Sequence, residues 1–179
     1  LLRAMQRLGD GGSEATLVLA GPVVEPSSFE RAYAALPESH RARIRRMGLV
    51  GGQLKQDMLA ATGVFALPSR VDSFGIVYLE AWAYGVPVIG CRAGGVPDVI
   101  DDGQDGLLVD FRDPAGLAAA IEALLADPDR RQAMGRQGRA KVEAQYTWDG
   151  IYDGLLAVYQ DVMAKISGAF RKPRRSGAK

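Results

Sequence analysis

Between residues 15 and 110, short uninterrupted apolar runs alternate with stretches of helical spacing. Few folds tolerate that pattern. The runs are "ATLVLAGP" (15–22), "MGLVGG" (47–52), "GVFALPS" (63–69), "VPVIGC" (86–91) and "GLLVD" (106–110). A strand that is apolar on both faces must be covered on both faces. Strands separated by helices pair in parallel. The helical stretches lie at 27–44, broken at Pro37, at 53–62 and at 74–85, where Gly85 stops the helix. A glycine loop with a short helix fills 93–100, and three further helices follow at 113–127, 127–146 and 148–166. The expected fold is α/β: a Rossmann-like parallel sheet with helices on both faces, followed by C-terminal helices. In such sheets ligands bind beyond the carboxyl ends of the strands. The loops "AGP", "GLVGG", "LPSRVDSFG" and "CRAGGVP" all fall there.

Bulk chemistry narrows the function classes. The 179 residues carry a net charge of +1, with 47% hydrophobic and 24% charged residues. That is an ordinary globular balance, and it gives no reason to expect a nucleic acid partner. No apolar run reaches the roughly 18 residues of a membrane span, and no signal peptide is visible. The single cysteine, Cys91, reads as core filling at a strand end and suits a reducing cytoplasm. No His, Cys and carboxylate cluster has metal-ligand spacing, so no metal is expected. His40, in "PESHRAR", reads as a surface side chain rather than a catalytic base. The first residues, "LLRAMQRLGDGG", have helical spacing but no N-cap and no preceding strand, which reads as a chain cut inside a longer one. The basic end, "FRKPRRSGAK", reads as a flexible tail, with an anionic surface as the alternative reading.

The stretch "LPSRVDSFGIVYLEAWAYGVPVIG" holds the chemistry. Ser73 is the expected N-cap of the helix. It leaves the amides of Phe74, Gly75 and Ile76 as donors at a positive helix end suited to phosphate or sugar oxygens. Gly75 would let a ligand approach the backbone. Glu80, seven residues beyond Ser73, returns to nearly the same face. Two readings stand for the acidic pair Asp72 and Glu80. Either Asp72 helps cap the helix and Glu80 reaches solvent, or both grip a ligand. The apolar surroundings in "IVYLEAWAY" favour the second, because a carboxylate there needs a partner. The paired glycines Gly94 and Gly95 are either a plain turn or a close-approach loop. No GxGxxG, P-loop or GxSxG pattern occurs.

Taken in order, the motifs from "VFALPSRVDSFG" through "GGVPDVIDDGQDGLLVD" resemble the carboxyl-terminal, donor-binding domain of group 1, retaining glycosyltransferases of the two-domain GT-B fold. The resemblance covers residues 1 to 165 and implies a donor domain over 1–166 with a basic tail over 167–179. It implies that Asp72, standing where the family usually has Glu, addresses the transferred sugar, and that Glu80 accepts from the ribose hydroxyls. Both are assigned to the catalytic centre as binding groups rather than as acid and base. The amides of Ser73, Phe74, Gly75 and Ile76 would hold sugar hydroxyls and diphosphate. Gly21, Val50 and Gly51 would flank the base, with Gly94 and Gly95 completing the donor site.

The resemblance also implies what this stretch does not contain: a first strand, central in the order 3-2-1-4-5-6, with its basic diphosphate clamp, and an N-terminal acceptor domain. The expectation is a sheet with a gap, completed by a partner segment, and a fragment inactive by itself. The implied reaction transfers a hexose from a nucleoside-diphosphate sugar to an alcohol on a glycan, lipid or small molecule. It needs no cofactor and takes place in the cytoplasm, with the inner membrane face as a peripheral contact. A non-catalytic nucleotide-sugar binding module is the alternative. A flavodoxin-like or receiver domain would want an acidic cluster or flavin loop at the first strand ends, and "AGP" and "GLVGG" offer neither.

Overall fold

The computed structural model describes residues 1–22 and 25–170. In order these form α1 (Leu2–Asp10), β1 (Leu17–Ala20), α2 (Pro26–Ala34), α3 (Glu38–Arg41), β2 (Ile44–Gly48), α4 (Gly52–Ala61) and β3 (Phe65–Ala66). They continue through α5 (Ile76–Ala83), β4 (Val88–Cys91), a 3-10 turn (Val96–Asp98), β5 (Gly106–Val109), α6 (Pro114–Ala126), α7 (Pro128–Gln145) and α8 (Trp148–Phe170). Local chemistry accounts for several boundaries. Pro26 opens α2, where a missing N–H costs nothing. Pro37 separates α2 from α3, as expected. Asp113 caps α6, its carboxylate accepting from the amides of Ala115 and Gly116 at 3.0 and 2.9 Å.

Every strand pair is parallel, but the strands form two sheets rather than one. β1 pairs with β2; β3, β4 and β5 form the second sheet, with β4 central. No described strand links the two. The expectation of a gapped sheet is met, since a continuous six-stranded sheet would have contradicted it.

The core gathers on β4. All four of its residues are buried, and period-two alternation sends them to opposite faces. Ile89 and Cys91 face a cluster with Ala4, Met5 and Leu8 of α1, Leu117, Ile121 and Leu124 of α6, and Met134 of α7. Cys91 is core filling, and burial pushes its thiol above its ordinary pKa. On the other face, a Cβ at Gly90 would lie 2.6 Å from Val96, 2.8 Å from Ile100 and 3.2 Å from the Tyr78 hydroxyl oxygen. Residue 90 is therefore where α5 and the 3-10 turn close on the sheet.

β2 departs from expectation. The strand was read at 47–52, but it occupies Ile44–Gly48 and is exposed beyond Ile44. Its sequence, IRRMG, is not an apolar run, because β2 lies at a sheet edge. The Arg46 guanidinium lies 4.8 Å from the Phe29 ring centroid and 2.6 Å from a Glu30 oxygen, so α2 supplies it with both a ring face and a charge partner.

His40 also corrects the sequence reading. Its side chain is 13% exposed, with Nε2 3.6 Å from an Asp10 oxygen. It lies against Gly9, where a Cβ would stand 1.9 Å from the imidazole. It links α3 to α1 rather than facing solvent.

The chain divides into two compact units, Leu1–Ala140 and Lys141–Lys179. In the second, α8 exposes Trp148, Tyr152, Leu155 and Tyr159. The basic tail, residues 171–179, lies outside the described residues. No helix among the described residues is long and apolar enough to cross a membrane.

Candidate functional site

The turn between β3 and α5, together with α5 itself, carries most of the nominated residues. Helix α5 begins two residues later than expected. Its N-cap is Gly75, in the left-handed conformation at φ 78°, with no side-chain cap. Ser73 is therefore not the cap. Instead an Asp72 carboxylate oxygen accepts from the Phe74 amide at 3.2 Å, an Asx-type turn that leads the chain into the helix. That bond gives the Phe74 amide a protein partner, contrary to the expectation of a free donor. The amides of Gly75, Ile76 and Val77 have no acceptor among the described residues. The positive end of α5 is thus present, but it is set slightly further along the chain.

Gly75 has a reason other than ligand approach. It is buried, and a Cβ there would lie 2.3 Å from the Tyr78 ring. Tyr78 is the buried post under this turn. Its hydroxyl donates to the Leu67 carbonyl at 2.8 Å, and its ring meets Phe65 edge-on at 6.0 Å. Burial, together with the nearby Asp72 charge, pushes its phenol well above the ordinary range. Nothing in the sequence reading singled Tyr78 out, because it looked like one more apolar position on α5.

Gly94 and Gly95 form a close-approach loop rather than a plain turn, and what approaches is backbone. Gly94 has φ +60°, and a Cβ there would lie 2.5 Å from the Asp72 carbonyl oxygen. At Gly95 a Cβ would lie 2.1 Å from the Ser73 carbonyl oxygen. The Gly95 amide donates to the Asp72 carbonyl at 3.0 Å. The loop after β4 therefore clamps the backbone of the acidic turn at Asp72 and Ser73.

Glu80 lies four residues past Ile76, one helical turn or about 6 Å along the axis. Burial of α5 is one-sided: Tyr78, Ala81 and Trp82 are buried, whereas Ile76 is 68% exposed. The helix is not enclosed on most sides as expected. Glu80 is half-buried, and one of its oxygens accepts from the Lys55 ammonium of α4 at 2.6 Å. With 35% and 39% of the two side chains exposed, the pair adds little stability by itself, under about 1 kcal/mol. Lys55 is a second residue that sequence reasoning passed over, since pairing across helices leaves no spacing signal.

Gly21, Val50 and Gly51 lie at the ends of the other sheet. The Gly21 amide donates to the Gly48 carbonyl at 2.7 Å, joining the two loop starts. Val50 is half-buried, and Gly51 is the extended N-cap of α4. Four residues on, α4 delivers Lys55 to Glu80. This chain of contacts connects the Val50–Gly51 stretch to α5.

A cavity of 1340 Å³ lies elsewhere at the strand ends. Leu19, Ala20 and Gly48 line it from the β1–β2 side, and Pro68, Val109 and Phe111 from the other. Among the nominated residues, Gly21 alone reaches it; Asp72, Glu80 and the glycine loop do not. Its volume exceeds that of usual small-molecule pockets, about 300–1,000 Å³, as expected of a space left open between two unpaired sheets.

Residues 1–127 match the family described as glycosyl transferases group 1. The chain is 34% identical over 167 residues to a GDP-mannose-dependent monoacylated alpha-(1-6)-phosphatidylinositol monomannoside mannosyltransferase of Corynebacterium glutamicum, covering 89% of this chain and 42% of that protein. It is 43% identical over 105 residues to a D-inositol 3-phosphate glycosyltransferase of Corynebacterium kroppenstedtii, covering 59% and 23%. Among solved structures, a sucrose-phosphate synthase from Thermosynechococcus elongatus superimposes with a TM-score of 0.76 at 27% identity, over 92% of this chain and 42% of that one. Anabaena HepE, solved with UDP-glucose, shares the fold at a TM-score of 0.73 and 19% identity, over 94% and 44%. The chain spans less than half the length of each. By its family match and by relatives that cover most of it, this chain belongs to the group 1 glycosyltransferases of GT-B fold.

Proposed function

We propose that these residues are the donor-binding half of a retaining glycosyltransferase, which moves a hexose from a nucleoside-diphosphate sugar to an alcohol acceptor. The carrying observation is the α5 mouth. Three amides without protein acceptors, Gly75 to Val77, stand between two partly exposed carboxylates, Asp72 before the helix and Glu80 one turn inside it. An activated sugar has matching parts: sugar hydroxyls at one end, a diphosphate in the middle and ribose hydroxyls at the other. In this assignment Asp72 addresses the sugar. The amides at the α5 end meet phosphate charge, and Glu80 accepts from the ribose. The Asp72 carboxylate is already oriented by the Phe74 amide, and its backbone is held by the Gly94–Gly95 clamp, so little reorganisation is needed on binding. Val50 and Gly51 flank the base.

The protein's contribution to the reaction is positioning, together with electrostatic stabilisation of the departing diphosphate. The acceptor-binding half and a basic diphosphate clamp belong to other parts of the whole protein, in keeping with relatives of more than twice this length. Names among those relatives, with inositol phosphate and phosphatidylinositol mannoside in them, support a polyol or glycolipid alcohol as acceptor. A cytoplasmic setting, reached peripherally from the inner membrane face, goes with such an acceptor.

Calorimetric titration of the whole protein with GDP-, UDP- and ADP-sugars tests the assignment. One of the three should bind, and Glu80→Gln should weaken it by about 1–3 kcal/mol, the range for a charged hydrogen bond. Unchanged affinity in Glu80→Gln together with a lowered melting temperature would give Glu80 a structural role instead.

A further inference from the structure

We infer that Lys55 is a positioning residue for the ribose end of the donor site: it holds the Glu80 carboxylate in the orientation that receives the sugar hydroxyls. The inference rests on the reading of Glu80 given above and extends it to a residue on a different helix. Lys55 reaches across from α4 to α5, and its ammonium occupies Oε1 of Glu80 at 2.6 Å. Oε2 has no partner among the described residues. A carboxylate has about four lone-pair sites, so one lysine bond leaves acceptor capacity for a diol. The pair is half open, with 39% and 35% of its side chains exposed, so the free oxygen lies within reach of a ligand.

A second observation separates Lys55 from its neighbours. The other charged side chain on α4, Asp57, accepts from Gln53 at 2.9 Å within its own helix. Lys55 instead bonds to the one carboxylate on α5. Lys55 also sits one turn after Gly51, so the stretch nominated to flank the base and the carboxylate nominated to hold the ribose are joined by this bond. A glutamate left free would lose rotamer freedom on binding; one already held by Lys55 loses less.

The test compares a nucleotide with its 2′-deoxy counterpart, using whichever of GDP, UDP and ADP the whole protein binds most tightly. The ratio of the two dissociation constants is the readout, because a general loss of stability affects both ligands alike. The unaltered protein should favour the ribonucleotide by about tenfold. Glu80→Gln should bring the ratio close to one. Lys55→Met should reduce it to about threefold or less, Lys55→Arg should largely preserve it, and adding Lys55→Met to Glu80→Gln should change nothing more. A full ratio in Lys55→Met alongside a collapsed ratio in Glu80→Gln would overturn the inference and leave Lys55 a tether between two helices. Should nucleotides bind without any deoxy discrimination, the assignment of Glu80 to ribose falls and that of Lys55 with it. Failure of all three nucleotides to bind would overturn the donor-site reading as a whole.

Discussion

The two sheets are built from similar sequence lengths but are very different structures. In the β3–β4–β5 sheet, β4 has a hydrogen-bonded strand on each side and all its residues buried. In the β1–β2 sheet each strand has one partner; Val18 is 46% exposed, and β2 is exposed past Ile44. Pairing on two edges and packing on two faces reinforce one another. A residue on β4 is held by neighbours in four directions, whereas one on β1 lacks at least one of them. The acidic turn and the helix mouth are built on the first kind of support. Gly94 and Gly95 clamp the turn from the loop after β4, and Tyr78 lies beneath it. Farther along α5, Trp82 donates to the Asp105 carbonyl at 2.8 Å, and α7 passes so close that a Cβ at Gly138 would lie 2.0 Å from the indole. Groups that must hold a ligand's oxygens in place belong on such a platform.

This contrast can be broken by substitution. Truncating Ile89→Ala on β4 should cost about 2–5 kcal/mol, the range for a fully buried aliphatic side chain. Val18→Ala on β1 should cost about 0.5 kcal/mol or less. Urea midpoints of the two variants measure the difference directly, and equal losses would mean that the first sheet is held as firmly as the second. Next in size, Gly95→Ala drives a methyl group into the Ser73 carbonyl and should cost about 1–3 kcal/mol. Its donor affinity should fall as well, because the clamp and the turn move together. Retained affinity at full stability would show that the clamp is not needed to aim Asp72.

The smallest effect sharpens the comparison. Tyr78→Phe removes one buried hydrogen bond and should cost about 1 kcal/mol at neutral pH. The phenol's folded pKa lies above its ordinary 10.0, so the folded state keeps a proton that the unfolded chain releases. Its contribution is therefore complete below pH 10.0 and is lost as pH rises through the folded value. Alkaline denaturation should accordingly be less steep in Tyr78→Phe than in the unaltered protein. Identical alkaline limbs would place the Tyr78 hydroxyl in contact with solvent.

Much of this was legible beforehand where one physical effect dominates. Continuous apolar runs marked β1, β3, β4 and β5, and Pro37 and Gly85 marked helix ends. The acidic turn and the helix mouth were visible as a pattern of residue types. What escaped was decided by contacts between distant residues. Ser73 looked like a cap because it precedes an apolar helix, yet the Tyr78 ring lies against Gly75, and that glycine's left-handed conformation sets the start of α5. β2 was misplaced because its arginines are polar, and Arg46 is accommodated by the Phe29 and Tyr33 rings and the Glu30 charge of α2. His40 read as polar surface, but the small residue at Gly9 lets it settle against α1.

By itself the sequence determined the alternation of strand and helix, the parallel pairing that follows from it, and the presence of two acids and a glycine pair beyond the strand ends. These depend on hydrophobicity and chain geometry over a few residues at a time. Tertiary structure alone decided that β2 runs from Ile44 to Gly48, that the glycines clamp backbone rather than ligand, and that Lys55 holds Glu80. Each of these depends on which atoms meet across long stretches of chain, and no local spacing encodes a meeting of that kind.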